Sequence, residues 1–400
     1  MTIFNTESAS FDWRASEIRW PVTTDVGPGL AGVVATASRV MWLDPSSGNM
    51  AYRGVPVDRL AGCRSFEEVA SLLITGRQPE DDRPGFVEFQ HRLRSSRKLP
   101  DPVVELIRDL DPATHPTRLL RAGVSALGCH ELSVDDDLAG DRHWRELRIV
   151  GQVAALAAVV AAHRQQRSMP DLDVGRSLAS HLLAVLGRGE PAAEDVACLD
   201  LLWILYAAHG LDAPTFTSMI VASCRADPYF NVVSGLSALR GVRQGGAGEA
   251  VLEQLAATKS PEDARGTVAR ILMAGGKIAG FGHRLFRMPD PRVVILRREL
   301  ASLARRRGRP EIFENALSLE KAATAALARR GVHVNINFYA APIFALLGAE
   351  PAFGPCLVAV GRMAGLVALV REAMDGIRLV RPLSRYVGDP ARSLSAARRS

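Results

Sequence analysis

The sequence is poor in aromatic residues, holds few cysteines and lacks any long uninterrupted apolar run. Phe, Trp and Tyr together make up 6% of its 400 residues. The five cysteines, Cys63, Cys129, Cys198, Cys224 and Cys356, are scattered, odd in number and never spaced as C-x-x-C. A disulfide framework and a zinc site both fit that pattern poorly, whereas a reducing cytoplasm fits it well. The most apolar stretch, residues 153–162, is about half the ~20 residues a membrane-spanning helix needs, and His163-Arg164 closes it. Residues 1–20 mix charges without an apolar centre, which argues against a secretory signal. No G-x-G-x-x-G follows a strand-like segment and no β–α–β alternation appears, which argues against a dinucleotide fold. No repeat of 30–45 residues is visible, so a helical solenoid has no support.

What is present is the balance of a globular chain with room for two domains: 48% hydrophobic and 23% charged residues. Forty-nine basic against 43 acidic residues leave a formal charge of +6. The charge is spread, with dense spots at Arg305-Arg306-Arg307, Arg329-Arg330 and Arg398-Arg399. That distribution favours small anions over nucleic acid or a membrane surface, because a guanidinium fork matches a carboxylate or phosphate.

Residues 1–27 read as an irregular polar arm. Around the turn Asp44-Pro45-Ser46-Ser47-Gly48 the spacing predicts a short hairpin. Beyond it the chain reads helical almost throughout. Ser65 with Glu68 forms a capping box, and Phe66, Val69, Ala70 and Leu73 follow at helical spacing until Gly76. Residues 195–209 set Leu199, Leu202, Trp203 and Tyr206 on one face, with Gly210 as the stop. Ser260-Pro261 opens a helix that ends at Gly275-Gly276.

Four segments carry chemistry, each with a plain reading beside it. His209 ends an apolar helix, where the helix dipole favours a cationic cap. The stretch from Arg240 through Gln244 to Gly248 is glycine-rich, suited to an anion or simply to a turn. Gly280-Phe281-Gly282-His283-Arg284-Leu285-Phe286-Arg287, then Asp290-Pro291-Arg292, makes a poor core and a good anion site. Asn335-Ile336-Asn337-Phe338-Tyr339 is weak alone and has Arg362 and Arg381-Pro382 downstream.

Together these segments resemble the citrate synthase family. Gly-Phe-Gly-His-Arg followed by Asp-Pro-Arg is the most specific match, and others run in order from Tyr52-Arg53-Gly54 to Arg381-Pro382 and Tyr386-Val387-Gly388. The resemblance implies a mainly α, two-domain homodimer with an N-terminal arm (1–27). A large domain (28–243, returning as 351–400 with the C-terminal tail) would close with a smaller mobile one (244–350) over oxaloacetate, or a related keto-dicarboxylate, and acetyl-CoA. It implies that His209, Arg292 and Arg362 bind the keto acid, that Arg381 reaches the partner's site, and that His283 activates the ketone. No permanent cofactor is implied; acyl-CoA is the co-substrate. Several guanidinium donors in a closed cleft suit a dicarboxylate.

Two positions depart from the family pattern. Gln244 stands where the family has the histidine that holds the thioester oxygen, and Asn337 stands where it has the aspartate base. Gln244 retains an amide donor. Asn337 cannot accept a proton, and a positioned base commonly contributes about 10²–10⁴ in rate. No spare carboxylate is evident beside either motif, since Glu249 points away on a helical reading. Residues 365–369 are unusually apolar. Three readings follow: an acyltransferase with altered or weak condensation, a hydrolase or lyase using the same cleft, or a non-catalytic dicarboxylate/CoA binder pairing with a paralogous chain.

Overall fold

The computed structural model describes residues 29, 30, 32–130, 142–168, 173–187, 189–241, 244, 247–374 and 378–382. The arm expected over 1–27 and the motif ending Tyr386-Val387-Gly388 lie outside them. Residues up to Ala37 form a unit of their own. Its described part holds a turn closed by Val33 N–H on the Leu30 carbonyl (3.2 Å).

The body from Ser38 onward opens on an antiparallel meander of β1 (Met41–Leu43), β2 (Met50–Tyr52) and β3 (Val55–Pro56), with Met41 opposite Tyr52. The expected hairpin is there. Its turn forms because the Asp44 carboxylate accepts from Ser46 N–H (2.9 Å) and the Ser47 hydroxyl (2.6 Å), and Gly48 N–H closes on the Asp44 carbonyl. The remainder is helical: α1 (Val57–Leu60), α2 (Phe66–Thr75), α3 (Arg83–Ser95), α4 (Asp101–Asp109), α5 (Pro116–His130), α6 (Arg142–Arg164), α7 (Leu178–Gly187) and α8 (Ala193–Tyr206). There follow α9 (Ala213–Ser223), α10 (Pro228–Leu239), α11 (Ala247–Ala256), α12 (Ala264–Met273), α13 (Arg292–Arg306), α14 (Pro310–Leu327), α15 (Asn337–Leu346) and α16 (Gly354–Met374).

The capping box of α2 is formed in both directions, and Gly76 ends that helix in the left-handed region. Two boundaries differ from the sequence reading. The helix expected to run to His209 ends at Tyr206, because tertiary partners take over its last carbonyls. Gly365 N–H of α16 donates to the Ala207 carbonyl (3.1 Å), and the Tyr52 hydroxyl donates to the Ile204 carbonyl (2.9 Å). Ser260-Pro261 does not open α12 but forms a preceding turn, in which Asp263 N–H donates to the Ser260 carbonyl; the helix begins at Ala264.

Among the described residues two helices, Trp144–Arg164 and Pro351–Met374, are long and apolar enough to cross a membrane. The first contains residues 153–162 and extends well beyond them, so its length exceeds what that apolar run alone suggests, and the second has the higher mean hydropathy over its window. Both are core helices: 83% and 94% of their apolar windows are buried. They pack against each other, and α16 also lies on α2, α8 and α9. The apolar residues 365–369 are core, buried in that helix.

Candidate functional site

The site begins where α8 stops. The Tyr52 hydroxyl also receives Ala208 N–H (3.3 Å), and Gly210 N–H meets Met41 Sδ (2.9 Å), so β1 and β2 hold the segment carrying His209. Facing it is the loop at residues 280–283. Gly280 sits at φ +76°, and a Cβ there would lie 2.7 Å from the Phe338 Cβ, so the close approach requires glycine. Gly282 N–H donates to the His333 carbonyl (2.7 Å), Asn335 N–H to the Gly280 carbonyl (2.8 Å), and Asn335 Nδ2 to the Gly282 carbonyl (2.8 Å). This clamp sets His283 Nε2 at 3.0 Å from His209 Nε2.

The protonation of the pair follows from its neighbours. His283 Nδ1 accepts the backbone N–H groups of Leu285 (3.1 Å) and Phe286 (2.9 Å), which assigns the ring proton to Nε2. The Phe286 ring stacks on it at 4.3 Å. Burial, with the Arg292 charge, pushes the His283 pKa down to about 4. Burial, then Arg292, Arg362 and His283, pushes His209 well below its ordinary value. Both rings are therefore neutral at pH 7, and His283 presents an N–H donor.

Arg292, the first residue of α13, is 3% exposed. Its Nε and Nη2 donate to the Asp290 carboxylate (2.9 and 2.7 Å) and its Nη1 to the Leu205 carbonyl (3.2 Å). Arg362 projects from the middle of α16 and is 6% exposed. Its Nη1 lies 3.0 Å from Asp212 Oδ2, an ion-pair distance at an angle that makes no hydrogen bond. Its Nε and Nη1, and Nδ1 of His209, are buried donors without a hydrogen-bond partner among the described residues. Their donor set fits a carboxylate-bearing ligand.

Asn337 opens α15, and its Oδ1 accepts the Tyr206 hydroxyl (2.8 Å). Asn337, Tyr206, Gly248, Ala341, Phe344 and Glu350 line one cavity. Gln244, half-buried, lies three residues before α11 and donates its N–H to the Gly241 carbonyl (2.8 Å). Its neighbours at 242, 243, 245 and 246 lie outside the described residues. Arg381 is exposed and donates to the Pro382 carbonyl (3.0 Å).

The structure thus brings His209, His283, Arg292 and Arg362 together and sets Asn337 near them through Tyr206. Glu249 does point away, onto His115 Nε2 (3.2 Å). Sequence reasoning missed Tyr52, Tyr206, Asp212 and Glu350. Tyr52 and Tyr206 stood in segments already singled out, but nothing local marks a tyrosine as site or core. Glu350 reaches the cavity from thirteen residues beyond Asn337, held by Arg164 (Nη2–Oε2 3.0 Å), and no spacing rule reveals that.

Comparison with known proteins gives the family and the fold. The family profile described as citrate synthase, C-terminal domain, matches residues 29–383. The chain is 32% identical to a citrate synthase of Synechocystis sp. over 364 residues, 90% of each chain. It is equally, 32%, identical to a 2-methylcitrate synthase of Mycobacterium tuberculosis over 374 residues, 92% of each. Its fold is similar to that of citrate synthase from Thermotoga maritima, with a TM-score of 0.81 at 27% identity, covering 93% of this chain and 99% of that one. A citrate synthase from Thermoplasma acidophilum, solved as a ternary complex with carboxymethyl coenzyme A and oxaloacetate, shares the fold at a TM-score of 0.85 and 24% identity, over 92% and 98% of the chains. Citrate synthases are condensing acyltransferases that use acetyl-CoA as a substrate and keep no permanent cofactor. With the histidine pair and the buried arginines on one mostly helical scaffold matched over nearly its whole length, the chain belongs to the citrate synthase family.

Proposed function

We propose that this chain binds a 2-oxo acid, oxaloacetate or a relative of it, at His209, His283, Arg292 and Arg362. Acyl-CoA is its co-substrate, and condensation proceeds only in altered or weakened form. The observation that carries this reading is an asymmetry within one site. His283 keeps a neutral ring with its Nε2–H fixed by two backbone donors, suited to polarise a ketone. Asn337, at the position of the family's base, offers an amide whose oxygen already accepts the Tyr206 hydroxyl. Deprotonating an acyl methyl needs a carboxylate there. Glu350 is the sole carboxylate lining that cavity among the described residues, and it is paired with Arg164.

Exposed Arg284 and Arg287 beside His283 suit the phosphates of coenzyme A. The division into 28–243 with 351–400 and a smaller 244–350 is part of the proposal. His115–Glu249, Arg164–Glu350 and Arg307–Asp195 are among the pairs that would change as the two parts open. A homodimer with Arg381 serving the partner's site completes it. Five free thiols support a cytoplasmic setting. The second reading, a non-catalytic binder pairing with a paralogous chain, is favoured by Asn337 alone, as is hydrolysis or cleavage of a thioester.

The test is release of free thiol from acetyl-CoA and propionyl-CoA with a panel of 2-oxo acids, alongside calorimetry of each acid. Binding with turnover at least 10² below the usual 1–10³ per second is expected. Turnover in the usual range would mean that another group is the base. Thiol release without a 2-oxo acid would select hydrolysis, and binding with no release would select the binder.

A further inference from the structure

The cleft holds several hydrogen-bond donors and, among the described residues, no carboxylate free to act as a base. Asp290 gives both oxygens to Arg292, and Asp212 caps Thr215 with one oxygen and faces Arg362 with the other. Glu350 is paired with Arg164. Burial and the Arg292 charge keep both histidines neutral and weakly basic. Burial pushes the Tyr206 hydroxyl above its ordinary value, so it stays protonated. Asn337 belongs with the donors. Its Oδ1 accepts the Tyr206 hydroxyl (2.8 Å), which orients the amide, and its Nδ2 has no partner among the described residues. Asn335 ties this residue to the histidine loop: its Nδ2 donates to the Gly282 carbonyl (2.8 Å) and its Oδ1 accepts Asn337 N–H (3.0 Å).

Beside Asn337 lies the cavity along α15. Its lining follows one stripe of that helix, Asn337, Ala340, Ala341 and Phe344, and Leu252 and Val358 face them. Apart from Tyr206 and Glu350, both already paired, the wall past the amide is apolar. A site with donors and no base suits an acyl thioester whose nucleophilic carbon forms without loss of a proton. A carboxylate on C2 meets that need. An amide N–H seats such a carboxylate, and the apolar wall beyond it favours uncharged CO2 over the anion. An aspartate at 337 would instead repel it.

We propose that the acyl donor of this cleft is a 2-carboxyacyl-CoA of the malonyl type, seated with its free carboxylate on Asn337 Nδ2 and condensed with the 2-oxo acid by loss of CO2. This rests on the reading of the cleft as a site for a 2-oxo acid and an acyl-CoA, with Asn337 facing the acyl carbon. In the step, the bond from C2 to the carboxylate carbon breaks, and its electron pair forms the thioester enolate as CO2 leaves. C2 then bonds to the ketone carbon. The ketone oxygen, held by His283 Nε2–H, ends with a proton drawn through that nitrogen from solvent. Neither a general base nor an oxidant enters.

The decisive experiment gives the full-length chain malonyl-CoA labelled in its free carboxyl, or acetyl-CoA, each with oxaloacetate or pyruvate. Labelled CO2 and the mass of the condensation product are read, and calorimetry follows the binding of each acid. The wild type is expected to release labelled CO2 only with a 2-oxo acid present, to form the product, and to turn over malonyl-CoA about tenfold or more faster than acetyl-CoA. Asn337→Asp should reverse that order, because the new charge repels the carboxylate of one donor and takes a proton from the other. Asn337→Ala, with neither donor nor base, should slow malonyl-CoA about tenfold or more and leave acetyl-CoA no faster. Unchanged melting temperatures verify that both variants fold. A wild type that prefers acetyl-CoA, forms no product from malonyl-CoA, or releases CO2 without a 2-oxo acid overturns the proposal, as does a donor preference unmoved by Asn337→Asp. If the 2-oxo acids still bind, only the donor class falls; if neither binds, the reading of the cleft falls with it.

Discussion

On the proposed reading Asn337 and Gln244 limit the chemistry of this cleft, and their surroundings indicate what replacing them would achieve. Asn337 is the first residue of α15, where a negative charge gains from the helix dipole by about 0.3–1 kcal/mol. The Tyr206 hydroxyl that now donates to its amide oxygen would donate equally to a carboxylate. Asn337→Asp should therefore fold at least as stably as wild type and raise condensation of acetyl-CoA with a 2-oxo acid by about 10²-fold or more. The pair Asn337→Asp with Gln244→His should exceed the product of the single gains, since base and thioester donor act on one transition state. A coupled thiol assay on the four proteins checks this, and no gain from Asn337→Asp would show that the base position lies elsewhere. Charge at the histidines matters in a second way. His181, 6% exposed in α7, is pushed down to about 4 by burial and by Arg97 and Arg176. Its folded pKa lies below the ordinary 6.5, so the unfolded chain binds the extra proton between about pH 6.5 and 4. The stabilisation is whole above that window and is lost as pH falls through it, by up to about 1.4 kcal/mol per pH unit. Urea midpoints at pH 7 and pH 4.5 should fall less for His181→Leu than for wild type.

Among the elements, α16 positions the chemistry while looking like mere core. Its Gly361 and Gly365 let it ride on the end of α8: a Cβ at Gly361 would lie 3.0 Å from the Trp203 Cα, and one at Gly365 would run into the Ala207 carbonyl and lie 2.6 Å from the Ala208 Cβ. Arg362 sits between those two glycines, so close packing is what carries the guanidinium to the histidines. Gly365→Ala must push backbone against backbone and should cost about 1–3 kcal/mol or more, read as a lower urea midpoint. It should also weaken 2-oxo acid binding beyond the loss of stability. Gly187→Ala, at a position with open space around it, serves as the control and should be close to neutral. Here sequence reasoning was half right. The periodicity and capping box of α2 predicted it to the residue, because those signals are local. The end of α8 was overrun by three residues, because Gly365 and Tyr52 compete for its carbonyls and neither is local.

At the scale of the whole molecule, Arg381 is exposed, and the proposed reading gives it to a partner's site. Exposed Ile220 on α9 and Phe230 on α10 are apolar, as is Leu379, whose neighbour Val380 donates its N–H to Ser223 Oγ at the end of α9 (3.1 Å). Burying such side chains favours association. Sedimentation should show a dimer or a higher even oligomer at micromolar concentration, and a stable monomer would remove Arg381 from the site. If the dimer forms, Arg381→Ala should weaken 2-oxo acid binding while leaving the oligomer intact.

What this sequence determined by itself was family, helix content and the histidines and arginines that come together in the fold, because Gly-Phe-Gly-His-Arg, Asp-Pro-Arg and the helical periodicities are patterns of near neighbours. It also set an asparagine, Asn337, where the resemblance implies an aspartate, since a single side chain carries that information. Only the tertiary structure decided how the cluster is charged. Asp212 and Arg362 are 150 positions apart, and their 3.0 Å approach depends on α9 packing against α16. The same holds for the proton on His283, which two backbone N–H groups assign, and for the Tyr206 hydroxyl on Asn337. Local spacing names the groups that can do chemistry; the distances that set their charge and protonation arise when helices distant in sequence pack together.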